Sequence, residues 1–189
     1  MNTPAHLIFG AAAFGQPGRP RVTAAALLGG LAPDLSLYLM VAWARFVSEV
    51  PARVIFSEYY FSEAWMAVFA IDNSIPIWTA LLALALWRRW PVLLAFAGAG
   101  LLHLALDLPL HGADARPMLW PLSDWRFESP FSYWDRSHHA GIIGPLEAGL
   151  SIALTGWMLW RFRSLAMRAA LALLLVAELG SSGIWRFVL

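Results

Sequence analysis

The sequence predicts an all-α fold, a polytopic membrane bundle of about five or six transmembrane helices forming a single domain over residues 1–189. Three observations predict it. Of the 189 residues 60% are hydrophobic and only 13% charged, about half the charge of a soluble domain. The apolar residues gather in runs of about twenty, the length that crosses a ~30 Å hydrocarbon core. Eleven Trp stand mostly near the ends of those runs, where indole rings settle at the lipid–water boundary.

Six apolar segments can be marked in order. The first, from Thr3 to Gly15, spans only about 20 Å as a helix and is expected to insert partly. The second runs from Val22 to Phe46 and the third from Glu63 to Trp87. The fourth runs from Pro91 to Leu110, the fifth from Ile142 to Arg161 and the sixth from Leu165 to Phe187. Segments two to six are each long enough to span. Gly29, Gly30, Gly98 and Gly100 suit close helix–helix contact in lipid. A long aromatic-rich loop, His111 to Gly141, separates the fourth segment from the fifth. No internal repeat or linker divides the chain.

Composition excludes several chemistries. Cysteine is absent, which removes disulfides, thiolate metal sites and cysteine nucleophiles, so any metal must be held by His and carboxylates. A net charge of +1 gives no electrostatic case for binding nucleic acid. The opening Met1-Asn2-Thr3-Pro4-Ala5-His6 lacks the basic region of a secretory signal, so the apolar run after it is expected to be structural. All thirteen basic residues are Arg. The short connections holding Arg19 and Arg21, Arg88 and Arg89, and Arg161, Arg163 and Arg168 contain no acid. The positive-inside rule therefore predicts that they face the cytoplasm, with the mixed-charge connections Val47–Ser62 and His111–Gly141 outside.

Ionisable residues within the apolar segments carry the functional signal: His6, Asp34, Asp72, His103, Asp107, Glu147 and Glu178. An ionised group at bilayer depth costs several kcal/mol, which makes each a site hypothesis. No Arg lies deep in any segment, so these carboxylates are expected to be protonated, solvated or neutralised by a bound cation. His103 and Asp107 share a helix face at i, i+4, giving one imidazole and one carboxylate for a divalent cation. Pro109 is expected to end that helix, leaving His111 and Asp114 as a loop pair above the site. Pro33 is expected to break segment two beside Asp34. All except the two glutamates fall in the outer half of the bundle, where they are expected to converge on one outward-facing cavity. Asp72-Asn73-Ser74 also reads as a plain polar kink. Glu147 reads as a helix-dipole partner in the first turn of segment five, Glu178 has no evident partner, and His138 and His139 read as solvent-facing.

Together these residues resemble the membrane-bound, metal-dependent hydrolase family typified by the YdjM-like inner-membrane proteins. The likeness rests on Thr3-Pro4-Ala5-His6, on the Gly-rich run Gly29-Gly30-Leu31-Ala32-Pro33-Asp34, on His103 and Asp107, and on Trp120-Pro121. It covers roughly residues 1–125. The family's middle-helix histidines are missing, with Ile71-Asp72-Asn73-Ser74 in their place, and the loop Ser129 to Asp135 is not part of its pattern. The chain thus reads as a divergent member.

The resemblance implies hydrolysis by metal-activated water in a bacterial-type inner membrane. His6, Asp34, His103 and Asp107 are the implied ligands, with His111 as a fifth or supporting group and Zn or Mn as the ion. Asp72 is the candidate general base or bridging ligand, and Asp114 a further catalytic candidate. The aromatic loop is expected to lie as a lid on the membrane surface, which suits membrane lipids or another amphiphilic ester or phosphoester. The alternative is a non-catalytic membrane protein, either a cation-binding transporter component or a scaffold retaining a degenerate site. A transporter would commonly carry a paired repeat, and none is visible.

Overall fold

A computed structural model describes the backbone of residues 1–188 and the side chains of residues 1–181. Leu189, and the side chains of the sixth segment beyond Ser181, lie outside the described residues. Among the described residues all regular structure is helical: α1 Thr3–Phe14, α2 Pro20–Phe46, α3 Ala52–Val54, α4 Glu63–Asp72, α5 Ile75–Arg88, α6 Pro91–Asp107, α7 Ala140–Arg161 and α8 Leu165–Val188. Proline opens several of them, at Pro20 and Pro91 in the first position and at Pro4 and Pro76 in the first turn, where a missing N–H costs nothing.

Four stretches, Pro20–Phe46, Glu63–Arg88, Pro91–Leu110 and Ala140–Arg161, are long and apolar enough to cross a membrane. The distribution of side chains agrees. Leu39, Phe46, Trp87 and Trp160 are 62–79% exposed, whereas His6, Asp34, His103, Asp107, Glu147 and Glu178 are at most 6% exposed. A soluble protein does the reverse. This is an integral membrane protein with its polar groups turned inward.

At the centre lies α1, whose twelve residues make about 18 Å of helix, too short to span. It packs against α2, α6, α7 and α8 and so carries the first residues of the chain into the bundle interior. Glycine lets the neighbours close around it. A Cβ on Gly30 of α2 would stand 2.7 Å from the His6 carbonyl oxygen, and one on Gly29 would overlap that of Phe96 in α6. Below them Ile8, Ala11 and Ala12 pack with Met158, Phe162 and Leu171.

The third segment departs from a single straight span. Asn73 and Ser74 separate α4 from α5, and Ser74 caps α5 by accepting the Ile77 N–H at 3.1 Å. The long loop fills this break. Ile75 N–H donates to the Met118 carbonyl at 2.9 Å, and the Ser74 hydroxyl to the Trp120 carbonyl at 2.5 Å. Non-helical backbone at that depth is tolerated because protein, not lipid, surrounds it. The loop is therefore not only a surface lid: Ala115, Arg116 and Met118 are buried, while Trp120, Leu122, Trp125 and Phe131 stay exposed.

Two further expectations are corrected. α2 runs unbroken through Pro33, because the carbonyls around the proline gain partners from outside the helix: His103 at Gly30, and Asn73 and Arg116 at Pro33. α7 begins at Ala140, so Glu147 lies two turns inside it and is not a first-turn group. The Arg-bearing connections gather at the end of the bundle away from His6. Gln16 and Pro20 share a groove there with Phe162 and Ser164, and Ala25 and Leu28 share another with Trp90 and Val92.

Candidate metal centre

Asp107, at the last turn of α6, is the hub. Its Oδ1 faces His6 Nε2 at 2.9 Å and accepts from the Met1 amino group at 2.5 Å. Its Oδ2 faces His103 Nε2 at 3.1 Å and His111 Nε2 at 3.4 Å. Three imidazoles from α1, α6 and the loop beyond α6 thus turn the same nitrogen toward one carboxylate. The i, i+4 spacing brings His103 to it along α6, the tight turn Leu108–Leu110 brings His111 back from beyond the helix end, and α1 brings His6 from across the bundle. His6 and His103 stack face to face, with centroids 3.5 Å apart and planes 11° from parallel.

Two of the three outward nitrogens are fixed by other groups, whereas His6 Nδ1 is buried with no hydrogen-bond partner among the described residues. His103 Nδ1 lies 2.8 Å from the Gly30 carbonyl, which can only accept, so that nitrogen carries the proton. Its Nε2 is buried and makes no hydrogen bond among the described residues, although Asp107 is at 3.1 Å and Asp34 Oδ1 at 3.9 Å. His111 Nδ1 donates to Asp114 Oδ2 at 2.8 Å, and Trp134 Nε1 donates to the same oxygen at 3.0 Å. Burial alone would lower the His111 pKa, but Asp107 and Asp114 outweigh it and raise it. Burial pushes Asp114 upward, and the His111 and Trp134 contacts win, holding it below the usual carboxylate range.

This donor set fits a divalent cation. Ligands ~2.0–2.1 Å from zinc stand about 3.3 Å apart in a tetrahedron, close to the observed nitrogen–oxygen separations. His6, His103 and Asp107 can hold a metal ion, each offering a ligand atom with all three atoms within 4.8 Å of one another. Imidazoles whose other nitrogen is tied to a carbonyl or carboxylate are typical of metal sites. An unbonded lone pair at His103 Nε2 facing carboxylates is the position a cation would satisfy. Zn and Mn both remain compatible with nitrogen and oxygen donors.

Asp34 stands beside the cluster. Thr3 Oγ1 donates to its Oδ2 at 2.6 Å and receives a hydrogen bond from Tyr38 OH at 2.8 Å. The expectation that no basic side chain reaches these carboxylates is corrected here. Arg116, carried inward by the loop, donates from Nη1 to Asp34 Oδ1 at 3.1 Å, and also to the Pro33 carbonyl and to Asn73 Oδ1. Its Nε donates to Tyr60 OH at 3.2 Å. Burial opposes its charge, and Tyr60 and Asp34 restore it, so the pKa is raised and the guanidinium stays charged.

Of the residues the sequence singled out, His6, Asp34, His103, Asp107, His111 and Asp114 form one connected group. Asp72 makes no hydrogen bond or ion pair with it: its carbonyl accepts from Trp78 Nε1 at 2.7 Å, and the buried Oδ2 has no partner among the described residues. The adjacent Asn73 reaches the group instead. Glu147 accepts the Asn2 N–H at 2.6 Å and Glu178 the Asn2 amide at 3.3 Å, so both glutamates gain a polar partner from the start of α1. His138 is half exposed and pairs with Asp135, apart from the cluster. Sequence reasoning missed Arg116, Asn73, Tyr38, Tyr60 and Tyr133. Asn73 had a signal, standing between two residues already marked as polar inside an apolar span.

A cavity of about 340 Å³ opens beside the cluster, with Asp34, Tyr38, His111, Arg116 and Tyr133 in its wall. A smaller one of about 150 Å³ shares His111, Arg116 and Tyr133 and extends to Asp114 and Trp134. Compared with known proteins, the chain matches no family model, no curated protein and no solved structure.

Proposed function

We propose that this protein is a membrane-embedded, metal-dependent hydrolase of a lipid-like ester or phosphoester, a divergent relative of the YdjM-like proteins. The reading includes a bacterial-type inner membrane, with the site opening to the non-cytoplasmic side, opposite the Arg-bearing connections. One observation carries it: three Nε2 atoms surround Asp107, and the Nδ1 atoms of two of those rings are already committed to Gly30 and Asp114.

His6, His103 and Asp107 hold the ion, and Asp34 stands next to them. A divalent cation bound there supplies Lewis acidity toward an ester or phosphoryl oxygen and makes water a better nucleophile at neutral pH. His111 forms the wall between cluster and cavity, and exchanges a proton with the reacting group. Asp114 holds the ring of His111 in register. The apolar cavity wall keeps bulk water away from the reaction.

The test is elemental analysis of detergent-purified protein, wild type beside His103→Ala and Asp107→Ala, followed by turnover of short-chain lipid esters. Near-stoichiometric Zn or Mn in wild type, lost in both variants together with turnover, is the expected result. Wild-type protein that takes up no metal after incubation with Zn²⁺ and Mn²⁺ would sink the reading and leave a scaffold with a degenerate site.

A further inference from the structure

The two cavities meet at Arg116 and Tyr133, and both residues bring a donor to the junction. Arg116 spends Nε on Tyr60 and Nη1 on Asp34, Pro33 and Asn73, and its Nη2 makes no hydrogen bond among the described residues. The Tyr133 hydroxyl likewise makes none, while its ring is fixed by packing on His111 at 5.3 Å between centroids. The tip of a charged guanidinium and a phenolic O–H thus share one wall with the metal cluster. Much of the wall around them is apolar, with Leu37 and Phe56 common to both cavities, Val41 and Ala177 in the larger and Phe61 in the smaller, and the two carboxylates in it are already paired, Asp34 with Arg116 and Asp114 with His111 and Trp134.

We infer that the junction is the headgroup site for an anionic phosphoryl group on an amphiphile, read by Arg116 Nη2 and the Tyr133 hydroxyl, with the acyl part along the apolar walls. The assignment rests on the hydrolase reading for its reaction but on the cavity alone for its ligand. Two donors with no protein acceptor call for an acceptor-rich ligand. A planar guanidinium is the group best matched to phosphate oxygens. A neutral ester offers weaker acceptors than a phosphoryl group, whose charged oxygens make charge-assisted hydrogen bonds with both donors. A free phosphate ion would leave the apolar walls unfilled.

The test is calorimetric titration of metal-stripped protein in neutral maltoside micelles with dihexanoyl phosphatidate, dihexanoyl glycerol and inorganic phosphate. Phosphatidate is expected to bind at least about tenfold tighter than either of the others. Tyr133→Phe, which removes one oxygen and keeps the ring, weakens phosphatidate about three- to tenfold. Arg116→Lys, which keeps the charge beside Asp34, weakens it about tenfold or more. Equal binding of phosphatidate and the glycerol overturns the headgroup assignment, and inorganic phosphate binding as tightly as the lipid overturns the amphiphile. Elemental analysis of the untreated protein separates the two readings. Metal present without lipid discrimination defeats this inference alone, whereas discrimination without metal defeats the hydrolase reading and leaves the headgroup site standing.

Discussion

His103 of α6 is tied to Gly30 of α2 by an imidazole-to-carbonyl hydrogen bond of 2.8 Å, and that bond aims the opposite nitrogen at Asp107. The same glycine leaves room for α1, whose His6 carbonyl would stand 2.7 Å from a Cβ placed there. One residue therefore sets both the closeness of the helices and the direction of a candidate ligand.

Gly30→Ala is expected to cost about 1–3 kcal/mol through overpacking and to weaken metal binding at the same time. Thermal melting in detergent and metal titration would be run on the same sample. A variant that melts lower yet binds metal as tightly as wild type would mean that the Gly30 bond does not orient His103.

Asp72 and Asn73 separate sharply in this structure although the sequence marks them together. Asn73 is fully buried, donating to the Pro33 and Phe69 carbonyls and accepting from Arg116. Asn73→Ala leaves those groups unsatisfied and is expected to destabilise by about 1–3 kcal/mol. Asp72→Ala removes a carboxylate whose buried Oδ2 has no partner among the described residues, so it is expected to leave stability unchanged or raise it by up to about 1–3 kcal/mol. It should also leave metal content and turnover intact. Loss of turnover in Asp72→Ala with metal retained would restore it as the general base.

The all-helical class, the bundle and most segment ends were legible because apolar length and charge exclusion act locally along the chain. His103 and Asp107 were legible for the same reason, as neighbours on one helix face. Arg116 was not. The rule that no Arg lies deep in an apolar segment holds for the segments, but nothing local says that a loop will fold back into the break between α4 and α5. That placement is set by the unpaired groups at Ser74 and Ile75, which the loop carbonyls of Met118 and Trp120 satisfy. The continuity of α2 through Pro33 was hidden likewise, since the side chains that serve its carbonyls come from three other parts of the chain.

Arg116 and Asp34 are buried together, so removing one partner strands the other. Asp34→Asn is expected to cost about 3–5 kcal/mol, and Arg116→Met a comparable amount. The double variant should be less destabilised than the sum of the two, because no unpaired charge remains. Strictly additive losses would show that the 3.1 Å contact carries no coupling.

Asp114 offers the cleanest test of the His111 geometry, because it lies outside the membrane-spanning helices and is less deeply buried than the cluster. Its Oδ2 fixes His111 Nδ1, and its Oδ1 has no hydrogen-bond partner among the described residues. Asp114→Asn retains an acceptor for both His111 and Trp134 but removes the charge, so the fold should survive with little change in melting temperature. Losing a carboxylate that orients a site histidine typically costs about ten- to a hundredfold in metal affinity or activity. The two readouts divide the roles. If His111 ligates the ion, chelator competition will show weaker metal binding. If His111 only exchanges a proton at the cavity wall, metal affinity will hold and turnover alone will fall. Unchanged affinity and unchanged turnover would mean that the His111–Asp114 pair serves only to hold the loop.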